Sequence, residues 1–536
     1  MENRRRAAAA AVISLAALPA AGQKCETGDL PVPLLPLPLQ PAGAPFTEPA
    51  FGTSAVRVTS AVAQGAFGTP IYSQLQAFSA EGEYILLYDA GGTVVRRVAD
   101  WSPVAGLDSS GWNVPRWHPA EEHVLVHFDS NADLVLRLQL TDVDALTTTT
   151  VYTFPPQYVR IRPNQSFDEL SEDGRWLAGL AERSDGENVI FSLDLENLQL
   201  GAELAVGDLY SGPCAPDPVW GPVLPDWIGV SPLGNYLVVQ WVRDGTQPCS
   251  GLESYDLVSG AFAGRAMAKH PHGDLGVHPD GVTEYFMTFE WELPFPFNSQ
   301  PALGYYELPG TATASPFTIA RWPVPWGYGH LSCRGPRGVG LVTYGDDGDA
   351  AHEALEEELF LVHVDGTVRR LAHHRSSACG YWVQPRATIS RDGRYVAFAS
   401  DWAQQTGTAS CGPGASLGAG EAYVLDLWAS GCAPYGLAAY DLVSGQTAAP
   451  VVHGARAGDV QFLAASLSGF GSLPLSGLGT ALTLAGDAFL AGVATADAQG
   501  VATWSIPIPP GLQGLGVWVQ ACQVGSATNV VATLLQ

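Results

Sequence analysis

Histidine, arginine and carboxylate side chains fall in four groupings whose types and spacing could do chemistry. The first is His270-Pro271-His272-Gly273-Asp274, with His278 close behind. Two imidazoles and a carboxylate suit a divalent metal, and alternate residues of a strand share one face. His270, His272 and Asp274 are therefore a candidate metal site, with a hydrogen-bonded loop or channel lining as the other reading. The second grouping runs from His330 through His373-His374-Arg375 to Tyr381-Trp382-Val383-Gln384-Pro385-Arg386. There His330, His373, His374, Trp382, Gln384 and Arg386 could grip an acidic or sugar ligand by charge-assisted bonds and stacking, or hold an internal polar network. The third, Gly414-Ala415-Ser416-Leu417-Gly418, matches G-x-S-x-G. A nucleophile elbow needs a strand before it and a helix after it, and this copy sits in a Gly-rich loop. The fourth is Asp346-Asp347-Gly348-Asp349 with Glu353 and Glu356-Glu357-Glu358. It could hold calcium but lacks EF-hand spacing, and reads as a solvated acidic loop. No grouping completes a catalytic set, so no catalytic residue is assigned and the chain reads first as a binder, with a metal-assisted polysaccharide lyase or hydrolase using His270, His272, His330, His373 and His374 as the alternative.

The elements that position these residues come from a repeated unit: a tight turn, then an alternating apolar strand. It is clearest at Ser390-Arg391-Asp392-Gly393-Arg394-Tyr395-Val396-Ala397-Phe398, and recurs from Ser171 and from Ser231. Looser copies start at Ser79, His118 and His278, and a degenerate one near Ser332. Ser or His can bond the turn backbone, Asp and Gly suit its positive-φ positions, and aromatic and β-branched residues then alternate into a sheet. The hexapeptide Tyr-Asp-Leu-Val-Ser-Gly occurs at both 255–260 and 440–445. Successive starts are about 52 residues apart, the length of one four-stranded blade with its loops. The expectation is an all-β chain: a ring of seven blades, with six or eight also compatible. The strand near Ser54-Ala55-Val56-Arg57-Val58 would complete the last blade.

The string from Ser390 to Ser400 resembles the repeat of TolB-type WD40-like propellers, over roughly residues 50–450. That resemblance implies a β-propeller and leaves function open, because propellers host binders, scaffolds, lyases and peptidases. The stretch before Ser390 is similar to oligogalacturonate lyases, whose divalent metal is held by a His-x-His pair just before the Ser-x-Asp-Gly turn. Here those positions hold Gln384 and Arg386. Arginine stays protonated and is no ordinary metal ligand, so the implied metal and lyase activity lose their key pair.

Residues 1–22 read as a signal peptide, with Arg4-Arg5-Arg6, an apolar run too short to span a bilayer, and Ala20-Ala21-Gly22. Residues 23–50 are a Pro-rich leader, 51–460 the propeller and 466–536 a small β-sandwich-like module. The last resembles C-terminal modules of large secreted bacterial proteins, which implies surface association or simple stabilisation. The formal charge of −27 argues against nucleic acid and anionic membrane as partners, and leaves protein or saccharide. Eight cysteines and no C-x-x-C suggest disulfides in an exported chain, secreted, periplasmic or at the cell surface. The pairs expected from loop proximity are Cys214–Cys249, Cys333–Cys379 and Cys411–Cys432.

Overall fold

The computed structural model describes residues 30–536 apart from 65–66, 90–91, 130–132, 271, 291–301, 312–316, 322–328, 346–352, 378–379, 404, 406–419, 440–441 and 499. Between residues 45 and 426 the chain folds into successive small antiparallel sheets, which we number in chain order. The first spans 69–97, the second 112–153, the third 158–205, the fourth 225–267, the fifth 273–321 and the sixth 329–373. The closing sheet joins Thr388–Ile389, Tyr395–Ser400 and Glu421–Asp426 to Ser54–Arg57 and then Pro45–Thr47.

The turn chemistry builds each sheet locally. Ser390 Oγ accepts the Tyr395 N–H at 2.8 Å and donates to Asp392 at 2.6 Å. Ser79 and Ser231 accept from Tyr84 and Tyr236 in the same way, each at 2.9 Å. In the histidine variant, His118 Nδ1 accepts the Glu121 N–H at 3.1 Å. Gly393 sits at φ +72°, where a side chain would be strained.

Packing then closes the circle. Apolar residues of the second and third sheets meet at Phe128, Leu138, Leu177 and Phe191, and those of the third and fourth at Leu180, Ile190, Ile228 and Trp241. Trp227 and Phe286 join the fourth to the fifth, Met287 and Val342 the fifth to the sixth, and Leu361 and Phe398 the sixth to the closing sheet. One further core holds Val56 and Val424 of the closing sheet, Leu86 of the first, and Trp117 and Leu125 of the second. Each sheet is too thin to bury both faces alone, and gains its core from its two neighbours. The result is a β-propeller. Ser54–Arg57 lies antiparallel against Glu421–Asp426, with Ser54 opposite Asp426 and Val56 opposite Val424. The ring is thus closed by the start of the chain.

The leader is strapped across the outside of the last sheets. Leu30 O accepts from Arg370 (2.6 Å), Leu37 O from Trp402 Nε1 (2.9 Å), and Leu39 N–H donates to Gln405 (3.0 Å). Residues 436–453, grouped above with the propeller, pair instead with the C-terminal tract. Gly436–Ala438 joins Val451–His453, which joins Ala502–Thr503. A four-stranded sheet follows, in the order Phe489–Thr495, Val460–Ser466, Gly516–Gln523, Ser526–Leu534. The second copy of the hexapeptide therefore lies outside the propeller sheets, and its Tyr440 and Asp441 lie outside the described residues.

Cys214 and Cys249 form a disulfide, with Cα atoms 5.6 Å apart. Cys333 is a free, buried thiol rather than half of the expected bridge, and its expected partner Cys379 lies outside the described residues. Cys432 is disulfide-bonded, and its expected partner Cys411 lies outside the described residues. No helix among the described residues is long and apolar enough to cross a membrane.

Candidate functional site

Each sheet begins with its innermost strand, and those strands all run toward the Ser-x-Asp-Gly turns. Cross-sheet bonds show them converging. Gln76 Nε2 donates to Ile389 O (2.8 Å) and Arg334 O (3.0 Å), and Gln74 Nε2 to Gly273 O (2.8 Å). The axis therefore has two ends: the turn face, and the opposite mouth where the innermost strands start.

The turn face is covered. Arg337 bonds Glu172 at 3.0 Å and also Thr483 of the C-terminal tract. Asp280 O accepts the Ala481 N–H at 2.9 Å. Phe470, Asn529 and Val530 line one cavity with Glu169, Arg334 and Arg391. Between the two ends the axis is plugged by charge. Arg334 bonds both Asp168 of the third sheet and Asp274 of the fifth, and all three side chains are buried. Arg391 pairs with Glu169 at 2.9 Å. Burial pushes Asp168 up to about 7 and Asp274 up to about 8, against the opposing pull of Arg334.

The mouth gathers most of the candidate binding residues. His330 Nε2 donates to Gln384 Oε1 at 2.8 Å, and burial drives its pKa down to about 3, so the ring is neutral. The Tyr72 ring stands edge-on to His330 at 5.7 Å and to Phe167 at 5.2 Å. His272 lies 6.1 Å from His330, ring to ring. His270 Nε2 is 3.1 Å from Asp226, whose hydrogen bond raises the histidine pKa. Tyr72, Phe167, Asp226, Gln240, His272 and His330 line one small pocket of about 40 Å³. Beside it, the Arg386 guanidinium lies 4.6 Å from the Trp382 ring and 4.8 Å from the Tyr381 ring. Trp382 is itself stacked on Phe67 at 4.9 Å. Arg386 is 1% exposed, it bonds Thr69 Oγ1 at 3.5 Å and the Tyr381 side chain, and no carboxylate among the described residues pairs with it. Burial lowers its pKa from the usual arginine value.

Three expectations need correction. His373 belongs to Val368–His373, the outermost strand of the sixth sheet, and meets the leader: Nε2 is 3.1 Å from Val32 O, and Glu48 is 3.6 Å from Nδ1. His374 is fully buried there, with Nε2 2.9 Å from Tyr344 O and a pKa lowered to about 3 by desolvation. Neither lines the axis, because they end one sheet rather than start the next. Asp274 faces Arg334 and the Cys333 N–H (2.7 Å), away from the histidines, so His270, His272 and Asp274 do not converge. Among the described residues no three His, Cys, Asp or Glu side chains form a group that could hold a metal ion. With Gln384 and Arg386 at the mouth, the residues do not fit the implied divalent metal, and no step is derived through one.

The acidic run is not a solvated loop where it is described: Glu358 is fully buried on Arg370, and Glu356 is buried. Asp346–Asp349 and the Gly414–Gly418 motif lie outside the described residues. Asp226 and Tyr72 were missed by motif reading. Position could have found Asp226: it stands five residues before Ser231, as Arg386 stands four before Ser390 and His272 six before His278.

No protein-family model matches this sequence, and no curated protein matches it. Among solved structures, the fold is similar to an oligogalacturonate lyase in complex with manganese (13% identity, TM-score 0.46, covering 75% of this chain and 98% of that one). It is also similar to the oligogalacturonate lyase of Vibrio parahaemolyticus (10% identity, TM-score 0.47, 72% and 96%). TolB from Acinetobacter baumannii aligns over 56% of this chain and 62% of its own, at 12% identity and TM-score 0.28.

Proposed function

We propose that this chain is an exported propeller that binds a carboxylate-bearing saccharide at the axial mouth. The observation that carries the reading is Arg386: a buried guanidinium between Tyr381 and Trp382 with no anionic partner among the described residues. A buried cation is costly unless paired, and a ligand carboxylate would pair it while a sugar face packs on the exposed Tyr381 ring. Gln384, His272 and the His270–Asp226 pair supply donors and acceptors for hydroxyl groups around it. The leader-like residues 1–22 and the Cys214–Cys249 disulfide support export. The C-terminal tract would associate the protein with the cell surface.

Calorimetric titration tests the proposal. Short uronate oligosaccharides should bind and their neutral, carboxyl-reduced counterparts should not. Arg386→Met removes a hydrogen bond to a charged group, worth about 1.5–3 kcal/mol, so affinity should fall roughly 10- to 100-fold. Equal binding of both oligosaccharides would sink the idea. The other reading, a metal-assisted lyase or hydrolase at the same mouth, finds no three-ligand group among the described residues to hold its metal. Formation of an unsaturated product from polyuronate with added divalent cations would favour it over binding alone.

A further inference from the structure

The C-terminal sheet has one covered edge and one bare edge. On the covered side, Asn529 accepts from Leu437 N–H at 2.8 Å and donates to Leu437 O at 3.0 Å. On the other side, Phe489–Thr495 pairs with Val460–Ser466, and no strand among the described residues takes its second edge. Alternate N–H and C=O groups of that strand point outward with no strand among the described residues opposite them. Its sequence, Phe-Leu-Ala-Gly-Val-Ala-Thr, holds no charge and no proline, and Phe489, Leu490 and Val493 are 51%, 61% and 54% exposed.

Three of the propeller's outer strands are guarded against such pairing: Gly92–Arg97 ends in two arginines, Gln199–Ala205 carries Glu203, and Val368–His373 lies under the leader. Charge on an edge, or cover over it, is how soluble proteins prevent strand addition. The bare edge has neither.

Charge also selects the occupant. Residues 460–536 carry two charged side chains, Asp487 and Asp497, so −25 of the formal −27 lies elsewhere. Two copies repel each other over the propeller and can approach closely where the surface is neutral. An uncharged strand also meets its own antiparallel mate without like charges opposed. We infer that two copies of this chain pair through Phe489–Thr495 about a twofold axis, joining their four-stranded sheets into one continuous sheet. Such an isologous contact uses the same patch on both subunits. It sets the two axial mouths on one particle, which would let it engage two sites on a polymeric ligand.

The test is light scattering and sedimentation of the full chain over a range of concentrations. The wild type should shift from monomer to twice that mass, and Leu490→Lys with Val493→Lys should raise the dissociation constant at least about tenfold. Val258→Lys, an exposed apolar site on the propeller at 65%, should leave it unchanged. Hydrogen exchange gives a second readout: amides of residues 489–495 should become protected as concentration rises. A wild type that stays monomeric with those amides unprotected overturns the inference. So does a dimer that the lysine variants leave intact.

Discussion

Arg334→Met is the sharpest test of how the axis is held together. The substitution keeps an apolar stem and removes every donor that Asp168 and Asp274 share. Breaking a buried ion pair costs about 3–5 kcal/mol, because a charge is left without compensation. Two carboxylates lean on this one guanidinium, so the penalty at pH 8 should sit near the top, about 5 kcal/mol. The loss should depend on pH with a definite sign. Both acids already titrate above their unfolded value, Asp168 at about 7 and Asp274 at about 8, and losing Arg334 raises them further. A raised acid binds its proton more tightly in the folded state. Its stabilisation is present below the unfolded pKa, near 4, and is lost as pH rises through the folded pKa. Below about pH 7 wild type and variant share that dependence, so the penalty changes only where the wild-type acids ionise and the variant's stay protonated, at about 1.4 kcal/mol per pH unit for each carboxyl. The penalty should therefore shrink by about 2 kcal/mol, to about 3 kcal/mol, at pH 5. Urea denaturation followed by tryptophan fluorescence at the two pH values measures it, with Arg334→Met/Asp168→Asn/Asp274→Asn expected to regain stability at pH 8. The reasoning fails if the midpoint drops equally at both pH values, or not at all.

Three further outcomes follow from single features. Reducing or removing Cys214–Cys249, which closes a separation of 35 residues, should cost about 4 kcal/mol by the loop-entropy relation and lower the urea midpoint. Val56→Asp puts a carboxylate into the core where the chain start meets Val424. It should cost more than about 3 kcal/mol and make the ring sensitive to limited proteolysis at its seam. Gly281→Ala sets a Cβ 2.4 Å from Ala481 O at φ +79°, and should loosen the C-terminal tract from the turn face, seen as faster hydrogen exchange at residues 480–484. The same exchange should stay unchanged in Gly92→Ala, where no atom lies within 4 Å.

The fold was legible because its signal is local. A Ser or His, an acidic residue and a glycine each bond or bend within six residues, and Tyr395, Tyr84 and Tyr236 receive the same contact from Ser390, Ser79 and Ser231. The closing strand at Ser54–Arg57 was readable for a similar reason, since the last sheet needs one more strand and those residues offer a short one with an apolar centre. The site was only half legible. His330, Trp382, Gln384 and Arg386 reach the mouth, while His373 and His374 sit at the far rim. Sequence proximity to the next turn cannot distinguish the end of an outermost strand from the start of an innermost one. Asp274 misled because alternate residues of a strand share a face only while both lie in it, and the strand begins at Gly273, after His272. The disulfide at Cys333 misled because neighbouring loops were taken as neighbouring thiols, whereas Cys333 sits buried in the core between the fifth and sixth sheets.

The partnership of Ser54 with Asp426 also dictates the order of events during biosynthesis. These residues are 372 positions apart, so at about 5–20 residues per second the first waits roughly 20–70 s for the second to be made. Every intervening sheet can form before the circle is sealed, and the waiting segment must stay unaggregated through that interval. Its shortness, its Ser54 and Arg57 ends and the prolines ahead of it suit a latch held open until the final sheet arrives.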